Sequence, residues 1–208
     1  MPKELLFDAA QPIGVTLLSA GEQKKFSVRF PSDEEWIDRQ RSRKLVTQDL
    51  GNGRSKRSVP DAESGDASLL KEIIQGESNG FDAYEAAAVI EQLEQAEVVG
   101  IDADAESKSF RVSLKVPGAV VTTHSLRMPT LKQLAVYSRN VTSFVDCRFG
   151  KSEMTVNLNV SAELYDEHRS GDPQGYVVAD IPAIHKHAVV GAVAAECRQM
   201  QARAAENF

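Results

Sequence analysis

A stretch that begins with a strand pattern and turns through proline into a helix occurs twice in this chain. Phe26-Ser-Val-Arg-Phe-Pro-Ser-Asp-Glu-Glu-Trp-Ile-Asp-Arg-Gln-Arg41 aligns without a gap on His124-Ser-Leu-Arg-Met-Pro-Thr-Leu-Lys-Gln-Leu-Ala-Val-Tyr-Ser-Arg139, 98 residues later. Phe26, Val28 and Phe30 alternate with Lys25, Ser27 and Arg29, the period of a strand with one buried face. Proline cannot donate to a ladder and holds the preceding residue extended, so Pro31 and Pro129 mark where strand gives way to helix. Ser32 with Glu35, and Thr130 with Gln133, have the spacing of capping boxes. The expected fold is therefore α+β: antiparallel hairpins or a meander packed with several helices, containing two similar hairpin-helix units.

Upstream of the first copy, Val15-Thr-Leu-Leu18 supplies the partner strand of a hairpin. The helix is expected over Asp33–Gln48, ending near Gly51-Asn-Gly53, with a mobile connection over 51–66. A short helix follows over 67–75. Asp82 and Glu85 then cap an amphipathic helix reaching Ala96, with Tyr84, Ala87, Ile90 and Leu93 as its stripe. A three-strand meander covers Glu97 to Met128, with a type II turn at Pro117-Gly118. After the second unit's helix, Leu131–Asn140, come a short strand or loop over 144–149 and a helix over 155–168. The last helix starts at Asp180 and Pro182 and runs to about Ala204. It carries a narrow face of Ile184, Ala188, Gly191, Ala192 and Ala195. The domain division expected from this pattern is 1–60 and 61–208, the two being able to merge into one.

Charge is polarised. Seven basic residues (Arg39, Arg41, Arg43, Lys44, Arg54, Lys56, Arg57) face one acid between positions 39 and 57, whereas Asp61 to Glu106 holds thirteen acids and one base in a chain of net charge −6. Such a basic arm is expected to contact acidic protein, either the 82–96 helix of its own chain or a partner. The 42 % hydrophobic content is spread without a run of about 20 apolar residues, and the amino terminus lacks a signal-type apolar core, so no membrane span and a cytoplasmic location are expected. Cys147 and Cys197, 50 residues apart in unlike contexts, leave one disulfide open but read better as a reduced, buried pair.

Sites of chemistry are not evident. Asp102-Ala-Asp-Ala-Glu106 opens like a calcium loop but has Ser107 where glycine belongs and Ser113 where glutamate belongs. Residues 51–57 lack phosphate-loop spacing. His185 and His187 stand two apart on a helix and diverge, and His124 replaces Phe26 on a buried strand face. No catalytic set, metal or cofactor is expected, and the chain reads as a protein without enzymatic chemistry.

The unit from Phe110 to Arg139 resembles the opening of the small tail assembly chaperones of long-tailed phages, through Leu126, Arg127, Pro129, Thr130 and Leu134, echoed by Val28, Arg29, Pro31, Ser32 and Trp36. This chain departs from that pattern in being longer and in having two such units. The resemblance implies a host-cytoplasmic assembly protein that binds tail components such as the tape measure or tail tube protein. Trp36, Arg39, Arg41, Arg43, Arg127 and Tyr137 are the candidate partner-binding residues. The sequence leaves open whether it works as an oligomer. The alternative class is a nucleic-acid-binding regulator using residues 39–57, against which stand the acidic net charge and the absence of a nucleic-acid-binding signature.

Overall fold

Alternation of buried and exposed side chains fixes the first hairpin, in which β1 (Ile13–Ser19) turns its Val15 and Leu17, and β2 (Glu22–Val28) its Phe26 and Val28, to one face. The computed structural model describes residues 6–19, 21–43, 45–52, 54–58, 62–76, 80–147, 151–177 and 180–206. After β2 come α1 (Asp33–Ser42), β3 (Leu45–Gly51), β4 (Arg54–Ser58), α2 (Ala62–Ile73) and α3 (Ala83–Glu94). The chain continues with β5 (Glu97–Asp104), β6 (Ser109–Val116), β7 (Val120–Arg127), α4 (Leu131–Asn140), β8 (Thr142–Cys147), β9 (Lys151–Val156), α5 (Leu158–His168) and α6 (Ala183–Glu206). The fold is α+β with antiparallel sheets of orders β1-β2, β4-β3-β9-β8 and β5-β6-β7.

The order strand, strand, helix, strand, strand, helix, helix occurs twice, as β1–α3 and, after the additional strand β5, as β6–α6. The likeness extends to atoms. The Ser32 hydroxyl accepts from the Glu35 amide at 3.3 Å while Glu35 Oε2 accepts from the Ser32 amide at 2.7 Å. In α4 the Thr130 hydroxyl accepts from the Gln133 amide at 3.3 Å, and Gln133 Oε1 accepts from the Thr130 amide at 2.9 Å. Pro31 and Pro129 are both buried, and Trp36 occupies the core position that Leu134 takes in the second copy. The end of each following helix clips back to its hairpin: Gln75 N donates to Ser27 O at 2.7 Å, and Ser170 N to Ser125 O at 2.9 Å. Replacing Ser32 by alanine leaves one helix amide without its acceptor and is expected to cost about 1 kcal/mol, measured as a lowered urea midpoint.

One register difference between the copies is absorbed in a turn. Two residues separate the ladder pair Ser19↔Glu22, but three separate Val116↔Val120. The extra residue lies in the turn Pro117-Gly118-Ala119, where Gly118 has φ 81° and ψ 11°, the second central position of a type II turn. Taken up within a strand, it would have turned every buried side chain outward. Instead Phe110, Val112 and Leu114 are buried as Val15 and Leu17 are.

The chain divides into two compact units that do not break at residue 60 as the sequence suggested. The amino-half unit comprises Ala9–Glu94 with Arg139–Asn157, so the first copy holds the β8–β9 hairpin of the second. Its core is built from the first hairpin, Trp36 of α1, Leu70 and Ile73 of α2, and Val89, Ile90 and Leu93 of α3. The carboxy-half unit comprises Met1–Asp8, Gln95–Ser138 and Leu158–Phe208. There the meander packs against α5 and α6 through Phe110, Leu114, Tyr165, Val189 and Val193, among others.

Several expected elements are corrected. The helix expected to reach Gln48 stops at Ser42, where the Arg43 amide and the Ser42 hydroxyl both donate to Arg39 O. Leu45-Val-Thr then enters β3, and Gly51-Asn52 belongs to a hairpin turn, with Asn52 at φ 53°, instead of a helix cap. The expected mobile connection over 51–66 contains β4 and the first turn of α2. The helix expected from Thr155 begins at Leu158, since 151–156 pair with β8 and β3. Tyr84 is 77 % exposed: α3 is rotated so that Ala86, Val89, Ile90 and Leu93 face inward. In α6 the small residues Ala188, Gly191, Ala192 and Ala195 are only half-buried, and the buried face carries Val189, Val190, Val193 and Cys197. The Cys147 side chain lies outside the described residues.

Candidate functional site

The basic run that sequence reading singled out is divided by the fold. Arg39 of α1 is buried, its Nε donating to Asp66 Oδ1 at 2.7 Å and its Nη1 to Glu94 Oε2 at 2.8 Å. Glu94, at the end of α3, also accepts from Gln40 Nε2 at 3.1 Å and Arg43 Nη1 at 3.4 Å. The Arg39 guanidinium lies 5.3 Å from the centre of the Trp36 ring, which is itself fully buried against Phe30. Carboxylates of the acidic segment thus neutralise part of the basic run within the amino-half unit. Two further pairs act alike. Arg29 binds Glu35 with both terminal nitrogens, and this pairing, with the Ser32 hydrogen bonds, holds the Glu35 carboxyl down to about 2. Lys24 approaches Glu85 to 2.7 Å, and its hydrogen bond likewise holds that carboxyl down to about 2.

Of the six candidate partner-binding residues, Trp36, Arg39 and Tyr137 are inside the fold and offer no surface to a partner. Tyr137 stands where Arg39 stands in the first copy, and it hydrogen-bonds Ser161, the counterpart of Asp66, so a neutral pair replaces a buried ionic one. Arg43 is partly covered by its Glu94 contact, and Arg41 meets Asp38 at 3.2 Å on open surface, where such a pair contributes little. Arg127 is exposed and donates to Glu167 O at 2.7 Å. Lys44 lies outside the described residues. Arg54, Lys56 and Arg57 remain outward on β4, all of whose residues are exposed.

The second polar feature is sealed in the carboxy-half unit. His124 Nδ1 and the Tyr165 hydroxyl are 2.8 Å apart, Thr122 Oγ1 is 3.1 Å from His124 Nε2, and the Tyr176 hydroxyl is 3.1 Å from His185 Nδ1. Phe7 packs edge-on against Tyr176 and His185. Burial lowers His124 to about 4, and burial with the neighbouring His124 lowers His185 to about 3, while burial raises both tyrosines. Both imidazoles are neutral near pH 7 and have no exposure to a substrate. His187 diverges as its spacing implied, to a 2.7 Å hydrogen bond with Ser161. Asp104, from the acid-rich stretch resembling a calcium loop, accepts from the amides of Glu106 and Ser107 at 2.9 and 3.2 Å and so closes a turn. Among the described residues no cluster of three or more His, Cys, Asp or Glu is placed to hold a metal ion, and no helix is long and apolar enough to cross a membrane.

Sequence reading missed the surface where the two copies differ most. On the outer face of α1 stand Asp33, Glu34 and Asp38, all exposed. Their counterparts on α4 are Leu131, Lys132 and Val136, with Leu131 65 % and Val136 49 % exposed. An acidic face has become apolar and basic on the same scaffold, and an ungapped comparison of the two helices carries that signal. Beyond this internal likeness, no family model, curated protein or solved structure matches the chain.

Proposed function

We propose that this is a non-enzymatic assembly protein of the tail-chaperone kind, whose outward α4 face, Leu131, Lys132 and Val136, receives an apolar, acid-flanked helical segment of a tail component such as the tape measure or tail tube protein. The observation that carries this reading is the exchange of three acids on α1 for two exposed apolar residues and one base on α4. Exposed apolar side chains at helical spacing, flanked by one sign of charge, suit an amphipathic helix of opposite charge. Packing supports the same reading, because neither face position is needed by the core of its own unit.

The nucleic-acid alternative loses Arg39 to burial and engages Arg43 with Glu94, leaving Arg54, Lys56 and Arg57 on a strand without an aromatic residue for base stacking. Grafting the first helix's charges as L131D, K132E and V136D tests the proposal. Binding of a co-expressed tape measure or tail tube protein should weaken at least about tenfold, since burying each apolar side chain contributes on the order of 1.5–3 kcal/mol. The thermal midpoint should change little at such exposed positions. Unchanged binding, or retention of mixed-sequence DNA or RNA at moderate salt through Arg54, Lys56 and Arg57, would favour the alternative.

A further inference from the structure

The four-stranded sheet of the amino-half unit has the order β4-β3-β9-β8. By the repeat, β8 is the counterpart of β3 and β9 that of β4. The β3–β9 junction therefore joins the first strand of one hairpin to the second strand of the other. Had like met like, β3 against β8, the contact would have been isologous and self-closing. A head-to-tail contact instead leaves one strand of each kind at the two ends of the described sheet: β4 at one and β8 at the other.

We propose that a second copy of this chain extends the sheet, its β4 pairing antiparallel with β8 of the first and repeating between chains the β3–β9 junction that exists within each chain. Register follows from the ladders. Val46 pairs with Ser58 in the first hairpin and Phe144 with Met154 in the second, so Val46 corresponds to Phe144 and Ser58 to Met154. The internal pairs Leu45↔Met154, Val46↔Glu153 and Thr47↔Ser152 then become Ser143↔Ser58, Phe144↔Arg57 and Val145↔Lys56 between chains.

Side chains favour this pairing over its rivals. β4 carries Arg54, Lys56 and Arg57 and no acid, so two β4 edges repel, as basic outer strands do generally. β8 carries no base and one acid, Asp146, and presents Phe144 and Val145 at 69 % and 55 % exposure. The proposed register sets the Phe144 ring beside the Arg57 guanidinium and the Lys56 stem along Val145. The inference is independent of what α4 binds.

Cysteine pairing tests both the contact and its register. In a Cys147→Ser background, S143C and S58C chains mixed under mild oxidation should give a disulfide-linked dimer, because opposed antiparallel residues have Cα atoms about 4.5–5.5 Å apart, within disulfide range. The S58C/S143C double variant should give a ladder of multiples of the 22.7 kDa chain. Unoxidised wild-type protein should gain mass with concentration in light scattering, and Phe144→Lys, which sets like charge against Arg57, should shift that gain to at least tenfold higher concentration. Either single variant crosslinking alone as well as the mixture, or S143C linking equally to S55C, would overturn the proposal. So would a wild-type mass that stays at one chain throughout.

Discussion

Replacing Arg39 by alanine should lower the stability of the amino-half unit by about 3–5 kcal/mol, the usual result of removing one partner from a buried ion pair. Arg39 and Asp66 are each 1 % exposed at the side chain, so solvent cannot take the place of the lost guanidinium and the Asp66 carboxyl is left in the interior without that partner. A second variant separates the ion pair from the space it fills. R39Y/D66S copies the Tyr137–Ser161 pair that the second repeat uses at the same place. A neutral pair of similar volume avoids the desolvation of two charges, so the double variant should recover most of the loss, while Gln40 and Arg43 continue to hold Glu94. Denaturant midpoints for the wild type, R39A and R39Y/D66S measure this directly. A cost for R39A within about 0.5 kcal/mol, typical of a surface substitution, would show that the pair is not formed in solution.

What could be read from sequence was the part specified locally. Ser32 with Glu35, Thr130 with Gln133 and Asp82 with Glu85 reach only three residues, and each forms the cap that its spacing implies. The alternation in Ser109–Val116 and Val120–Arg127 fixes a hairpin with its turn between. By contrast, β4 reads Arg-Ser-Lys-Arg-Ser, with no buried position and no apolar period, and among the described strands its neighbour is β3. Gly51-Asn-Gly53 suits a helix end and a hairpin turn equally, and the bases before it suit the end of a helix dipole. Helix and hairpin therefore competed on local terms, and the distant partner β9 decided between them.

The candidate site was less legible because the same residue types serve surface and core. Trp36 and Tyr137 have apolar bodies with one polar atom, which fits an interface or an interior. Arg39 is interior because of carboxylates 27 and 55 residues downstream, and nothing marks Asp66 and Glu94 among thirteen acids. The repeat beyond Arg41 was hidden by exchanges made in pairs. The Arg39–Asp66 pair stands where Tyr137 and Ser161 stand in the second copy, and the buried Phe26 and Leu70 stand where His124 and Tyr165 do. Each exchange keeps the positions buried while erasing sequence identity.

That second exchange gives the chain an acid-sensitive core. Between pH 7 and pH 4 the carboxy-half unit should lose several kcal/mol of stability. A histidine titrates ordinarily near 6.5, but burial holds folded His124 at about 4 and folded His185 at about 3. Both folded values are depressed, so below about pH 6.5 the unfolded chain takes up protons that the folded chain refuses. Stability is complete above that pH, falls as the pH drops, and stops falling on this account only below about 4 for His124 and 3 for His185. At roughly 1.4 kcal/mol per pKa unit, His124 alone contributes on the order of 3 kcal/mol. The paired carboxylates Glu35 and Glu85 act in a lower window, because their stabilisation is lost only as pH falls from about 4.5 to about 2. H124F/Y165L places the buried residue types of the first repeat, Phe26 and Leu70, at these positions and removes one of the two titrating imidazoles without stranding the Tyr165 hydroxyl. Thermal midpoints taken from pH 7.5 to pH 4 should therefore fall steeply for the wild type and less steeply for the double variant. A wild-type midpoint that stays level down to pH 5 would mean that these imidazoles accept protons in the folded state, and hence that the cluster is open to water.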